Sequence, residues 1–132
     1  MKVKTSELTG VALDWAVAQA TGANVRIHTF EGNGAVQMVF DLENGHLLAT
    51  YSPSNNWNQC GPLIEKFRIE LRTAEGRNWY ADKVFPHGAG EEDWCGFGYT
   101  ALSAVCRAIV TAKFGDEVEL PSELFRQEPE KP

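Results

Sequence analysis

Phe67-Arg68-Ile69-Glu70-Leu71-Arg72 is the stretch that decides the fold. Phe67, Ile69 and Leu71 alternate with Arg68, Glu70 and Arg72, a period of two. That period predicts a strand with one face on a core and one in water. Ala74-Glu75-Gly76-Arg77 follows as a turn, and Trp79 and Ala81 open a return strand that ends near Phe85-Pro86. A hairpin over 67–85 is therefore expected, and a hairpin alone cannot bury its apolar face. Two helical patterns supply cover. The first runs from about Gly10 to Ala20, capped by Thr9 and stopped by Gly22, with Leu8, Val11, Ala12 and Trp15 at helical spacing. Leu13, Val17 and Ala20 make this helix apolar on a second side, which predicts burial all round. The second spans about 100–113, capped by Thr100 and followed by Gly115, with Leu102, Val105, Cys106, Ile109 and Val110 on one face. The expected class is α+β: an antiparallel sheet packed by two main helices.

Between the first helix and the hairpin, Asn24–Phe30 alternates weakly. Glu31-Gly32-Asn33-Gly34 is a turn, and Ala35–Leu42 reads as a strand with Val36, Met38 and Phe40 on one face. Asn44-Gly45 turns the chain again, and His46–Tyr51 is placed to return. Beyond the second helix, Pro121-Ser122-Glu123-Leu124-Phe125 reads as a short docking turn. Residues 1–126 are expected as a single globular domain and 127–132 as a frayed acidic tail.

The totals exclude several functions. A chain of 132 residues with 43% apolar and 23% charged residues is long enough for a core and ordinary for a globular domain. No apolar run reaches membrane-spanning length, and Met1–Glu7 lacks the apolar segment of a signal peptide, so a cytosolic protein is expected. The net charge is -6, and residues 116–132 carry six acids against two bases, leaving the body near neutral. Non-specific nucleic-acid binding needs a basic surface that this balance does not supply.

The chemistry-bearing stretch is Tyr51-Ser52-Pro53-Ser54-Asn55-Asn56-Trp57-Asn58-Gln59-Cys60-Gly61-Pro62-Leu63-Ile64-Glu65. Pro53 and Pro62 restrict the backbone, and Gly61 permits a close or left-handed turn. Ser54, Asn55 or Asn56 is placed to cap a short turn of helix around Trp57. The expectation is a rigid loop presenting Tyr51, Ser52, Ser54, Asn55, Asn56, Trp57, Gln59 and Gly61 to a flat polar ligand such as a nucleobase. The alternative is a loop whose polar groups satisfy one another and whose Tyr and Trp plug the core. Asp14, inside the first helix, is either a carboxylate positioned near this stretch or an acid at the rim bonded to a loop backbone. A second candidate is Gly96-Phe97-Gly98-Tyr99-Thr100-Ala101. Gly98 and Thr100 at the helix start would expose N–H groups to an anion, with Arg68, Arg72 or Arg107 adding charge. As an ordinary loop and N-cap, the same residues need no ligand. No convincing strand leads into them, so a dinucleotide fold is not expected.

Three cysteines, Cys60, Cys95 and Cys106, show no CxxC spacing, and reduced thiols are expected. Cys106 falls on an apolar helical face and reads as a core residue, and Cys60 as a packed or loop thiol. His28, His46 and His87 lie in separate segments without metal-ligand spacing. Glu91-Glu92-Asp93 is a run of adjacent acids of the kind that is usually solvated. No metal, cofactor or catalytic residue is expected.

Three groups of residues carry a family likeness. Lys4-Thr5-Ser6-Glu7-Leu8-Thr9-Gly10 with Ala12-Leu13-Asp14-Trp15-Ala16-Val17-Ala18 opens the chain. Tyr51-Ser52-Pro53-Ser54, Trp57 and Gly61-Pro62-Leu63-Ile64-Glu65 lie in its middle, and Lys113-Phe114-Gly115-Asp116-Glu117-Val118-Glu119 with Pro121 near its end. Together they resemble the NinX-like phage and prophage proteins. The likeness departs at residues 24–50 and at Cys60, where a second glycine is expected. It implies a small phage-encoded accessory protein of the host cytosol and no agreed reaction. The expected function is non-enzymatic binding, and in a phage setting sequestering, of a small polar or nucleotide-like ligand. The alternative is an interaction module that inhibits or redirects a host protein through exposed aromatics or the acidic tail. A hydrolase using Asp14 or the 91–93 acids ranks last. A homodimer is a reasonable expectation for a small cytosolic domain.

Overall fold

The computed structural model describes residues 1–31, 36–42, 50–76, 78–83 and 95–124. The described elements run in chain order β1 (Lys2–Lys4), a 3-10 turn at Thr5–Glu7, α1 (Gly10–Thr21), β2 (Val25–Phe30), β3 (Val36–Asp41), α2 (Trp57–Phe67), β4 (Ile69–Thr73), β5 (Trp79–Lys83), β6 (Cys95–Gly98), α3 (Ala101–Phe114) and β7 (Glu117–Glu119). They form three antiparallel sheets, β1-β7, β2-β3 and β4-β5-β6. The class is α+β, as the alternation and the two helical patterns require.

The hairpin expected over 67–85 is present as β4 and β5, with Ile69 opposite Lys83 and Thr73 opposite Trp79. Its start differs. Phe67 is the last residue of α2, and Arg68 takes a left-handed backbone (φ 55°) that ends the helix and redirects the chain into β4. The apolar Phe67 thus belongs to the helix, although it fits the strand alternation equally well. Gly76, at φ 71°, closes the turn. Residues 84–94, among them His87 and the acids at 91–93, lie outside the described residues, as does His46.

The 51–65 stretch departs most from expectation. In place of a rigid loop with one helical turn, residues 57–67 form an 11-residue helix that holds both Gly61 and Pro62. Gly61 adopts no left-handed turn, and a Cβ there would meet nothing within 4 Å. Pro62 gives up one backbone donor inside the helix and is exposed, so its ring does not disturb the core. The buried and half-buried face, Cys60, Leu63, Ile64 and Phe67, follows helical spacing and packs on the core.

α3 is the centre of the molecule. Residues 101–110 are all buried. Thr100 caps the helix in a reciprocal box: its Oγ1 accepts from the Ser103 N–H at 3.0 Å, and the Thr100 N–H donates to Ser103 Oγ at 3.3 Å. One side of α3 presses on β6. A Cβ on Gly96 would collide with the Ala104 carbonyl and the Ala108 nitrogen, and one on Gly98 with Ser103 Oγ. These glycines form a strand themselves, and they serve the close approach of helix to sheet. Another side of α3 packs against α1, buried at Ala12, Leu13, Ala16, Val17 and Ala18; Val11, Trp15 and Ala20 are half-buried and Gln19 is exposed, so α1 is buried on most sides and not all round. Arg107, 4% exposed, ties three segments: Nε and Nη2 donate to the Leu8 carbonyl at 3.1 and 2.8 Å, and Nη1 to the Phe97 carbonyl at 2.7 Å.

The first and last described strands pair. Lys2–Lys4 pair with Glu117–Glu119, a ladder that no apolar alternation announces. Leu120 and Leu124 are buried, so the turn after Pro121 docks on the core; Phe125 and the tail lie outside the described residues. In the β2-β3 hairpin the core-facing side carries Ile27, Val39 and Gln37, whose Nε2 donates to Thr29 Oγ1 and to the Glu123 carbonyl. The opposite side, with Val36, Met38 and Phe40, holds an edge-on ring cluster of His28, Phe30 and Phe40. The predicted return at 46–51 is seen where it is described: Thr50 bridges Phe40, and the Tyr51 N–H donates to the Val39 carbonyl at 2.7 Å.

Candidate functional site

The site is built on Asp14. In the middle of α1 and 4% exposed, its carboxylate reaches across to the segment that precedes α2. Oδ1 accepts the Ser54 N–H at 2.8 Å, and Oδ2 lies 3.4 Å from Ser52 Oγ, which donates to it. A loop backbone is thus bonded to this acid, as one of the two sequence readings holds, but in the interior and not at a rim. Burial pushes the Asp14 pKa up to about 6, against the opposing effect of the hydrogen bonds from Ser54 and Ser52.

Further bonds fix the same segment. The Gln59 side chain is engaged at both ends: Oε1 accepts the Ser52 N–H and Nε2 donates to the Thr50 carbonyl at 2.7 Å. The Asn55 N–H donates to the Ser52 carbonyl at 3.0 Å, closing a turn over the fully buried Pro53. Asn56 takes the N-cap of α2, its Oδ1 accepting the Asn58 N–H at 2.9 Å. Tyr51 is half-buried against the core with its hydroxyl on Thr21, and burial raises its pKa.

On this support the residues read from the sequence separate into two sets. Ser52, Ser54, Gln59 and Tyr51 are turned to the interior or to the loop itself. Gly61 lies within α2. Trp57, 58% exposed, and Asn55 face water, with Asn56 half-exposed between them. Asn58, exposed next to Trp57 in the chain, is not among the sequence candidates: the expected single turn of helix around Trp57 is in fact an 11-residue helix, and Asn58 is its second residue.

Gly98 and Thr100 belong to another place, the β6-α3 junction. There the Thr100 hydroxyl caps the helix, and Arg107 is committed to two carbonyls. Arg68 and Arg72 are exposed elsewhere, at the end of α2 and on β4.

Cys60 and Cys106 are both fully buried where α2 meets α3. Their thiols are hydrogen-bonded to each other, and that bond, with burial, holds the Cys106 pKa well above its usual value. Cys106 is a core residue as expected, and Cys60 is its packed neighbour. Among the described residues no three His, Cys, Asp or Glu side chains gather as a metal ion needs, and no helix is long and apolar enough to cross a membrane.

The arrangement offers an exposed indole and carboxamides at the start of a helix whose lead-in is pinned from below. The indole supplies a stacking face, and the carboxamides both donate and accept. The family model described as Bacteriophage P22, NinX matches residues 4–113, and the chain belongs to that family. No curated protein matches it.

Proposed function

We propose that this NinX-family chain is a non-enzymatic phage accessory protein that binds a small polar or nucleotide-like ligand at the start of α2, sequestering it from the host. The observation that carries this reading is Trp57: a large aromatic ring, 58% exposed, on a segment held by hydrogen bonds to a buried carboxylate. An exposed tryptophan on a pre-ordered support loses little entropy on stacking, which favours flat ligands. Asn55 and Asn58, exposed close to Trp57 in the chain, supply carboxamides for the polar edge of such a ligand, although Asn55 Nδ2 also donates to Ser52 and Ser54 Oγ.

A ligand that binds the folded state raises the unfolding temperature by mass action. A panel of nucleosides, nucleotides and cyclic or linear dinucleotides, each at millimolar concentration, tests this by thermal denaturation. At least one compound is expected to raise the transition and quench tryptophan fluorescence, and Trp57→Ala is expected to abolish both while keeping its own cooperative transition. No shift across the panel, or a shift unchanged in Trp57→Ala, contradicts the reading.

A further inference from the structure

Three residues that the 51–65 site does not use stand in a row across the other face of the β4-β5-β6 sheet. Strand register places Arg72 opposite Tyr80 and Tyr80 opposite Phe97, all pointing away from α3. The guanidinium of Arg72 lies over the Tyr80 ring, 4.7 Å from its centroid. The Phe97 ring meets Tyr80 edge-on at 4.8 Å and is itself 55% exposed. The next row of the same face carries Glu70, Asp82 and Cys95. Glu70 Oε1 is 3.1 Å from Arg72 Nε, Asp82 Oδ2 is 3.9 Å from Arg72 Nη2, and Tyr80 donates to the same Asp82 oxygen at 3.3 Å.

We infer that this face docks an arginine-bearing segment of a partner protein, with a guanidinium over Phe97. The face already holds one guanidinium between an aromatic ring and two carboxylates, in the form of Arg72. Phe97 continues the aromatic row by one strand, and its ring is open to water. Charge selects the occupant. Glu70 and Asp82 oppose the single cation Arg72 on this face among the described residues. A phosphate backbone is repelled by that balance and a cationic peptide is drawn to it. Guanidinium is the preferred cation because it stacks on rings and is weakly hydrated, unlike an ammonium group. This surface is independent of Trp57.

The test titrates the full chain with a decapeptide of alternating Arg and Gly, its Lys counterpart and a ten-residue oligothymidylate, followed by NMR and calorimetry. The Arg peptide is expected to shift the Phe97 and Tyr80 ring resonances and to bind more tightly than the Lys peptide. Phe97→Ala is expected to weaken it about tenfold, the scale of a partly desolvated cation–π contact. Glu70→Gln should weaken it less, with a shallower salt dependence, and Trp57→Ala should leave it unchanged. Phe97 is exposed, so its variant is expected to stay folded, with amide shifts changed only around Phe97 and Tyr80. Four results overturn the inference: no binding, equal binding by Phe97→Ala, ring shifts with the oligothymidylate in place of the peptide, or self-association of the free chain that Phe97→Ala abolishes.

Discussion

Asp14 does at the residue scale what the rest of the site depends on. Its carboxylate satisfies a buried N–H of a loop that would otherwise pay for leaving water. Its raised pKa carries a sign. The folded protein holds a proton, up to about pH 6, that the unfolded chain releases near the ordinary carboxylate value of 3.8. The contribution of Asp14 to stability is therefore fully present below pH 3.8 and is lost as pH rises through 6. The difference corresponds to about 3 kcal/mol at neutral pH. Asp14→Asn keeps an oxygen for the Ser54 N–H and cannot ionise. It is expected to flatten this pH 4–6 slope and to be at least as stable as the native chain at pH 7, measured by urea unfolding across pH. Asp14→Ala removes the acceptor and should be about 1–3 kcal/mol less stable than Asp14→Asn.

Among the elements, α2 and β6 were the least legible. Gly61-Pro62 carries two residues that normally break helices, so the sequence read as a loop. The core contacts of Cys60, Leu63, Ile64 and Phe67 outweigh that local cost. Gly96 and Gly98 were legible as special but not for the right cause, because only the partner helix reveals how close it comes. Gly96→Ala should lower stability by about 3 kcal/mol or more, since the clash is with helix backbone and neither element can yield cheaply. Denaturant unfolding checks this. A loss below about 1 kcal/mol would mean that β6 and α3 sit farther apart. The two long helices, by contrast, were readable in their bounds: Thr100 caps α3 with its side chain and Gly22 and Gly115 stand at the two helix ends, while Thr9 holds the N-cap position of α1 without a side-chain cap bond.

At the scale of the molecule, the pairing of β1 with β7 closes the fold from its two ends, and sequence pattern could not show it. Lys2, Lys4, Glu117 and Glu119 are exposed strand positions, and only Val3 and Val118 face inward, too few to make a periodicity. Truncation after Asp116 removes β7 with buried Val118, Leu120 and Leu124. It should cost about 4 kcal/mol or more in unfolding free energy, at about 1.5–3 kcal/mol for each buried side chain. The molecule carries two candidate surfaces on different elements: Trp57 at the start of α2, and the row of Arg72, Tyr80 and Phe97 on the outer face of the β4-β5-β6 sheet. The first was partly legible, since Pro53, Asn56 and Trp57 announce a stiff, capped, aromatic segment. Which of its side chains face water followed only from the helix that begins at residue 57.

In the proposed function Trp57, held out on this support, captures a small molecule. Native mass spectrometry of the protein purified from phage-infected cells, beside Trp57→Ala prepared alike, measures this directly. The expected result is a species heavier than the bare chain by the mass of a small polar ligand, absent from the variant. Bare chain alone in both preparations, or the same added mass in both, would contradict it.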